Sequence, residues 1–165
     1  MIVVTAPQPY TPTIGHRTVF VGGSIEMGAA ELWQDKLATS LSKFDDNVVL
    51  LNPRRDDWDS SWLQDPTYGT NFHTQVSWEM DSQEDSDFLI YYFDPATKSP
   101  ITLLELGTYG VSNAENTIVC CPPDFYRYGN VAMLCARYNI TLVESFPRLV
   151  REVINRLLES GAVWQ

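Results

Sequence analysis

Glu105 is a carboxylate set in an otherwise apolar run, Pro100-Ile101-Thr102-Leu103-Leu104-Glu105-Leu106-Gly107. An ionised side chain is costly to bury alone, so a core-facing Glu is paired, coordinated or functional. A second carboxylate, Glu79, lies in Gln75-Val76-Ser77-Trp78-Glu79-Met80-Asp81. Taken by themselves, Glu79 and Asp81 read as solvated helix charges. If Glu79 approaches Glu105, the two can divide labour, one as nucleophile and one handling a proton, because different environments push their pKa values apart.

Other groups suit a ligand rich in oxygen or aromatic surface. Gly22-Gly23-Ser24 follows a short β run, so its backbone N–H groups and the Ser24 hydroxyl can face ligand oxygens; a tight turn explains the same residues. Asn52-Pro53-Arg54-Arg55-Asp56-Asp57-Trp58-Asp59 reads either as a charge-balanced loop or as a lid. As a lid it offers Trp58 for stacking and Arg54 or Asn52 for hydrogen bonds to a planar ligand. The chain has neither GxGxxG nor a P-loop, which disfavours a dinucleotide cofactor. Cys120, Cys121 and Cys135 have no CxxC spacing, and His16 and His73 lie far from them, which argues against zinc. Three thiols, two of them adjacent, read as reduced groups in a cytoplasmic protein.

The elements that must position these groups alternate along the chain. Strand-like runs are Thr18–Val21, Val48–Leu51, Phe88–Phe93, Thr117–Cys121 and Ile140–Val143. Between them, helical spacing covers Ala29–Phe44, Phe72–Glu84, Ile101–Ser112 and Val131–Arg137, and Ser145–Leu158 closes the chain as an amphipathic helix. Near-continuous apolar strands separated by helices predict an α/β fold with helices on both faces of the sheet. The expected form is a flavodoxin-like or Rossmann-like three-layer sandwich with a five-stranded, mostly parallel sheet. Residues 1–16 contain three prolines and read as an N-terminal arm that pairs at a sheet edge or wraps a neighbour; residues 17–165 form one domain. Glu105 then falls just beyond the C-terminal end of the third of these strands, the edge where open α/β sheets bind ligands.

Bulk properties narrow the partners. A chain of 165 residues with 44% hydrophobic and 19% charged residues can bury a substantial core. A net charge of −10 argues against nucleic acid as a partner, since phosphate backbones demand basic surfaces. No apolar stretch approaches the roughly 20 residues of a membrane span, and the first residues lack the basic-then-apolar pattern of a signal peptide.

In order and spacing, Val19-Phe20-Val21-Gly22-Gly23-Ser24-Ile25, Asn52 to Trp58, Gln75 to Glu79, Asp87 to Phe93 and Leu104-Glu105-Leu106-Gly107 resemble the nucleoside 2-deoxyribosyltransferase family, in particular its phage-like and cyanobacterial-type branch. The resemblance runs from about Thr18 to Leu158. It implies that Glu105 is the nucleophile and that Glu79, where well-known members carry Asp, handles the proton. It aligns Phe20 with a Tyr that touches the nucleophile, so another hydroxyl, from Tyr109, Tyr91 or Tyr92, would have to orient Glu105. A carboxamide from a neighbouring subunit corresponds to Asn130 or Asn139. Ser99, six residues before Glu105, stands where members acting on free nucleosides carry Asp; Ser99 with Ser24 matches the phosphate-binding serines of related 5′-monophosphate N-glycosidases. Asp94, earlier in the same loop, remains placed to reach the sugar. The resemblance implies base exchange between a deoxynucleoside and a free nucleobase without metal or organic cofactor, in a homo-oligomer with shared active sites. Hydrolysis of a monophosphate is the alternative, and a non-enzymatic nucleotide sensor is the second.

Overall fold

The computed structural model describes residues 1–25, 30–55 and 61–165. Its strands are β1 (Ile2–Thr5), β2 (Arg17–Gly23), β3 (Val48–Asn52), β4 (Phe88–Tyr92), β5 (Thr117–Cys120) and β6 (Thr141–Val143). They lie in the order β1-β3-β2-β4-β5-β6, and every pairing between them is parallel. The helices are α1 (Trp33–Leu41), α2 (Asn71–Glu84), α3 (Pro100–Glu105), α4 (Tyr128–Tyr138) and α5 (Phe146–Glu159). Helices on both faces of this sheet agree with the expected sandwich.

The sheet has six strands rather than five. The additional one comes from the supposed arm: Ile2-Val3-Val4-Thr5 is rich in β-branched residues and pairs with β3 at the sheet edge. Pro7, Pro9 and Pro12 follow this strand instead of interrupting it. They carry the chain past α2, where the Trp78 indole N–H donates to the Gln8 carbonyl at 2.7 Å.

Strand alternation divides the interior into two cores. Val19, Val21, Leu50, Ile90, Tyr92 and Cys120 face one side, where they meet α1 and α5 through Trp33, Leu37, Leu149 and Val153. Phe20, Leu51, Leu89, Tyr91 and Val119 face the other, against Leu106 after α3 and Val131 of α4. Trp78 of α2 packs on this second core. The helices that carry Glu79 and Glu105 therefore stand on the same face.

The chain leaves the neighbouring strands β2 and β4 toward opposite sides of the sheet, through α1 and α3. This is the topological switch point, and its crevice opens at their C-terminal ends. Gly23 ends β2 there, and a Cβ on it would come within 2.5 Å of the Tyr92 carbonyl and 2.7 Å of the Trp33 ring. Only glycine admits that approach.

Candidate active site

Glu105 ends α3, and a π-helical turn, Leu106–Gly110, follows it directly. Such wide turns recur at functional sites. Leu106 is buried in the second core, which pins the helix while Glu105, the residue before it, stays partly accessible. Glu79 projects from α2 at the centre of an i, i+4, i+8 row, Gln75, Glu79 and Gln83. Each carboxylate receives a carboxamide N–H from this row. Gln75 Nε2 donates to Glu79 Oε1 at 2.8 Å, and Gln83 Nε2 donates to Glu105 Oε1 at 3.1 Å. Gln75 Nε2 also reaches the Pro53 carbonyl at 2.9 Å, tying α2 to the loop after β3.

Burial disfavours charge on both acids. It pushes Glu79 up to about 7, against the bond from Gln75. Burial also raises Glu105, the Glu79 charge adds to the effect, and the Gln83 N–H opposes it, leaving Glu105 at about 8. Two carboxylates so coupled titrate as a pair, and near neutral pH the pair retains a proton. An acid and a nucleophile working together require one such proton.

The same shifts set the pH dependence of stability. Both folded values lie above the ordinary carboxylate value of 4.5, so between these limits the folded state binds protons that the unfolded chain has released. Stability then falls as pH rises from about 4.5 toward 8, at a cost on the order of a few kcal/mol. Glu105→Gln is expected to flatten this decline and to unfold at a higher temperature than the parent at pH 8. Thermal unfolding across that pH range checks it, and parallel curves would contradict it.

Ser24 and Ser99, far apart in sequence, meet with their hydroxyl oxygens 2.5 Å apart. Thr97, which sequence reading passed over, joins them at 2.8 Å from Ser24 and 2.7 Å from Ser99. All three are buried, and the Asp94 backbone N–H donates to Ser24 Oγ at 2.9 Å. This hydroxyl cluster staples the loop after β4 to the end of β2. It also fixes the start of α3, where Ser99 adopts φ 47° and its hydroxyl makes no cap bond to the helix. Asp94 itself is partly exposed at the crevice, with its carboxylate accepting the Ala96 N–H at 2.9 Å.

The remaining expected residues are placed as follows. Phe20 and Gly22 are buried beside Tyr91, and a Cβ on Gly22 would lie 2.9 Å from the Phe20 ring. Asn52 Oδ1 accepts the Arg54 N–H at 3.0 Å, shaping the turn after β3. The Arg54 guanidinium donates to the carbonyls of Glu31 at 2.8 Å and Ala30 at 3.1 Å, so it clasps the approach to α1. Arg55 lies 4.9 Å over the Trp62 ring. Trp58 lies outside the described residues. Asn130 is exposed on the first turn of α4, and its side chain hydrogen-bonds neither carboxylate. Of the three candidate tyrosines, Tyr91 lies nearest in function, because its hydroxyl donates to Gln83 Oε1 at 2.7 Å. Tyr92 instead donates to Glu31 at 3.1 Å, and Glu31 is held below the usual carboxylate range by Lys36. A cavity of about 450 Å³ opens beside α2 between Tyr10 and Trp78, and neither carboxylate lines it.

Among the described residues no group of three His, Cys, Asp or Glu side chains is placed to hold a metal, and no helix is long and apolar enough to cross a membrane.

Residues 16–125, which span both carboxylates, match the family model described as nucleoside 2-deoxyribosyltransferase like. The chain belongs to that family. Membership in the nucleoside 2-deoxyribosyltransferase-like family points to an enzyme of the glycosyl-transfer or hydrolase type. None of the curated proteins matches this chain. Among solved structures, a conserved protein from Enterococcus faecalis V583 shares the fold, with a TM-score of 0.61 at 14% identity over 86% of this chain and 99% of the other.

Gln75 and Gln83 escaped the sequence reading. Their signal was the spacing of four on either side of Glu79, which puts all three on one helical face.

Proposed function

We propose that this member of the family is a nucleoside 2′-deoxyribosyltransferase that exchanges bases through a covalent deoxyribosyl-Glu105 intermediate. The observation carrying this reading is the carboxylate pair, brought together from α2 and α3, each acid held by its own carboxamide and the pair keeping a proton near neutral pH.

A Glu105 oxygen attacks the anomeric carbon of the bound deoxynucleoside. The C–O bond forms as the C–N bond to the base breaks, and the bonding pair leaves with the base nitrogen. Glu79 gives that nitrogen a proton, which removes the penalty of expelling an anion. An incoming base then attacks the same carbon from the opposite side, releases Glu105 as carboxylate and returns a proton to Glu79. Two inversions yield net retention. Substrate and the two carboxylic side chains supply all the reacting atoms, so the scheme uses no cofactor. A homo-oligomer belongs to this reading, supported by Ile101 and Leu104, which leave an apolar strip exposed on α3.

The Ser24–Ser99 contact favours a second reading, hydrolysis of a deoxynucleoside 5′-monophosphate with the phosphate on these serines. The hydroxyls bond each other and Thr97 and are at most 4% exposed, so a phosphate would have to displace that cluster. Transfer therefore ranks first.

Incubating the protein with deoxyinosine and free adenine tests the reading. Deoxyadenosine is expected. Hypoxanthine without a new nucleoside would mean hydrolysis, release confined to deoxyinosine 5′-monophosphate would favour the second reading, and no turnover of any of these would reject both.

A further inference from the structure

We propose that Gln83, oriented by Tyr91, is the positioning residue that aims the Glu105 carboxylate as nucleophile and favours its ionised form. The inference rests on the transferase reading for its catalytic meaning, and on geometry for its substance.

Gln83 is 2% exposed, and three of its hydrogen bonds fix which way its carboxamide points. Nε2 donates to the Glu79 backbone carbonyl at 3.1 Å and to Glu105 Oε1 at 3.1 Å. Oε1 accepts the Tyr91 hydroxyl at 2.7 Å. The Glu79 backbone carbonyl can only accept, so it demands the amide nitrogen, and an ionised Glu105 demands it too. Tyr91 fixes the other end. Burial raises its hydroxyl well above the usual phenol range, so it stays protonated and serves as a donor. Flipping the carboxamide would oppose oxygen to oxygen at Glu105 and at the Glu79 carbonyl. The amide is therefore a fixed dipole with its positive end on the nucleophile.

That position matters because burial and the Glu79 carboxylate oppose ionisation of Glu105. Glu79 faces it from α2, while Tyr91 on β4 and Tyr109 on the π turn lie within its electrostatic reach as neutral hydroxyls. Among the described residues no cation offsets them: Glu105 takes part in no ion pair. The Gln83 N–H favours the charged form against burial and Glu79. Phe20 offers no hydroxyl, and the Gln83–Tyr91 relay fills that role by donating to the carboxylate from a neighbouring helix. The proposed leaving-group step needs the proton of the pair on Glu79, and the Gln83 N–H shifts the balance in that direction by lowering the cost of ionising Glu105.

The test is a carbon-13 NMR titration of the Glu105 side-chain carboxyl, assigned by the loss of its signal in Glu105→Gln. It is run on the parent, Gln83→Leu and Tyr91→Phe, with single-turnover rates measured alongside. Gln83→Leu is expected to move the Glu105 midpoint upward and to slow formation of the glycosyl-enzyme roughly ten- to a hundredfold, the equivalent of one charge-assisted hydrogen bond. The loss should fall on kcat rather than KM. Tyr91→Phe should move the midpoint in the same direction by less, since it frees the carboxamide without removing it. This variant also decides the matter should Gln83→Leu fail to fold. An unchanged midpoint in the folded variants overturns the proposal even if the protein exchanges bases. A moved midpoint in a protein that turns over no nucleoside upholds the relay and rejects the transferase reading.

Discussion

Glu105→Ala is expected to abolish the proposed base exchange while the protein stays folded. In the proposed mechanism the ester to the anomeric carbon forms on Glu105, so the expected loss is at least about 10⁴-fold in kcat. Folding should survive for reasons local to α3. The helix start is fixed by the hydroxyl cluster of Ser24, Thr97 and Ser99, and Leu106 anchors the next residue in the core. Removing the carboxylate strands one Gln83 N–H, but it also removes a charge that burial penalises. Circular dichroism and thermal unfolding should resemble the parent, and exchange retained in a folded Glu105→Ala protein would sink the mechanism.

The second large effect belongs to Glu79→Gln. The glutamine keeps an oxygen to accept the Gln75 N–H, so the local geometry persists while the transferable proton disappears. For natural bases, which leave poorly as anions, single-turnover release should slow by about 10²–10⁴-fold. A deoxyriboside whose leaving group is already a stable anion needs no proton and should lose far less. Equal losses across both substrate types would show that Glu79 does not transfer the proton.

The strand and helix order was largely legible in the sequence because it depends on local apolar patterns. Val48-Val49-Leu50-Leu51 and Phe88 to Phe93 leave little choice but buried strands. Ile2 to Thr5 carries the same kind of signal, but the prolines after it made the whole stretch read as an arm; its pairing partner, β3, lies more than forty residues away. Glu105 stood out because a charge among apolar neighbours is itself an anomaly. The groups that support it were less visible. Gln83 is an ordinary helix residue until Tyr91 and Glu105 come to meet it, and Thr97 gains its role only when Ser24 arrives from β2. Arg54, which one reading of its loop placed at the ligand, donates instead to two backbone carbonyls. Such bonds join residues distant along the chain, and no local period encodes them.

Tyr91 and Tyr92 are consecutive in β4, yet one hydroxyl serves Gln83 and the other serves Glu31, in opposite layers. A slip of β4 by one residue against β2 would send each of its side chains to the opposite layer and take the Tyr91 hydroxyl away from Gln83. The register that sorts apolar side chains between the layers is thus also what aims the hydroxyls. For this chain, correct strand alignment and assembly of the candidate centre are a single event, and a misaligned sheet would lose that centre together with its packing.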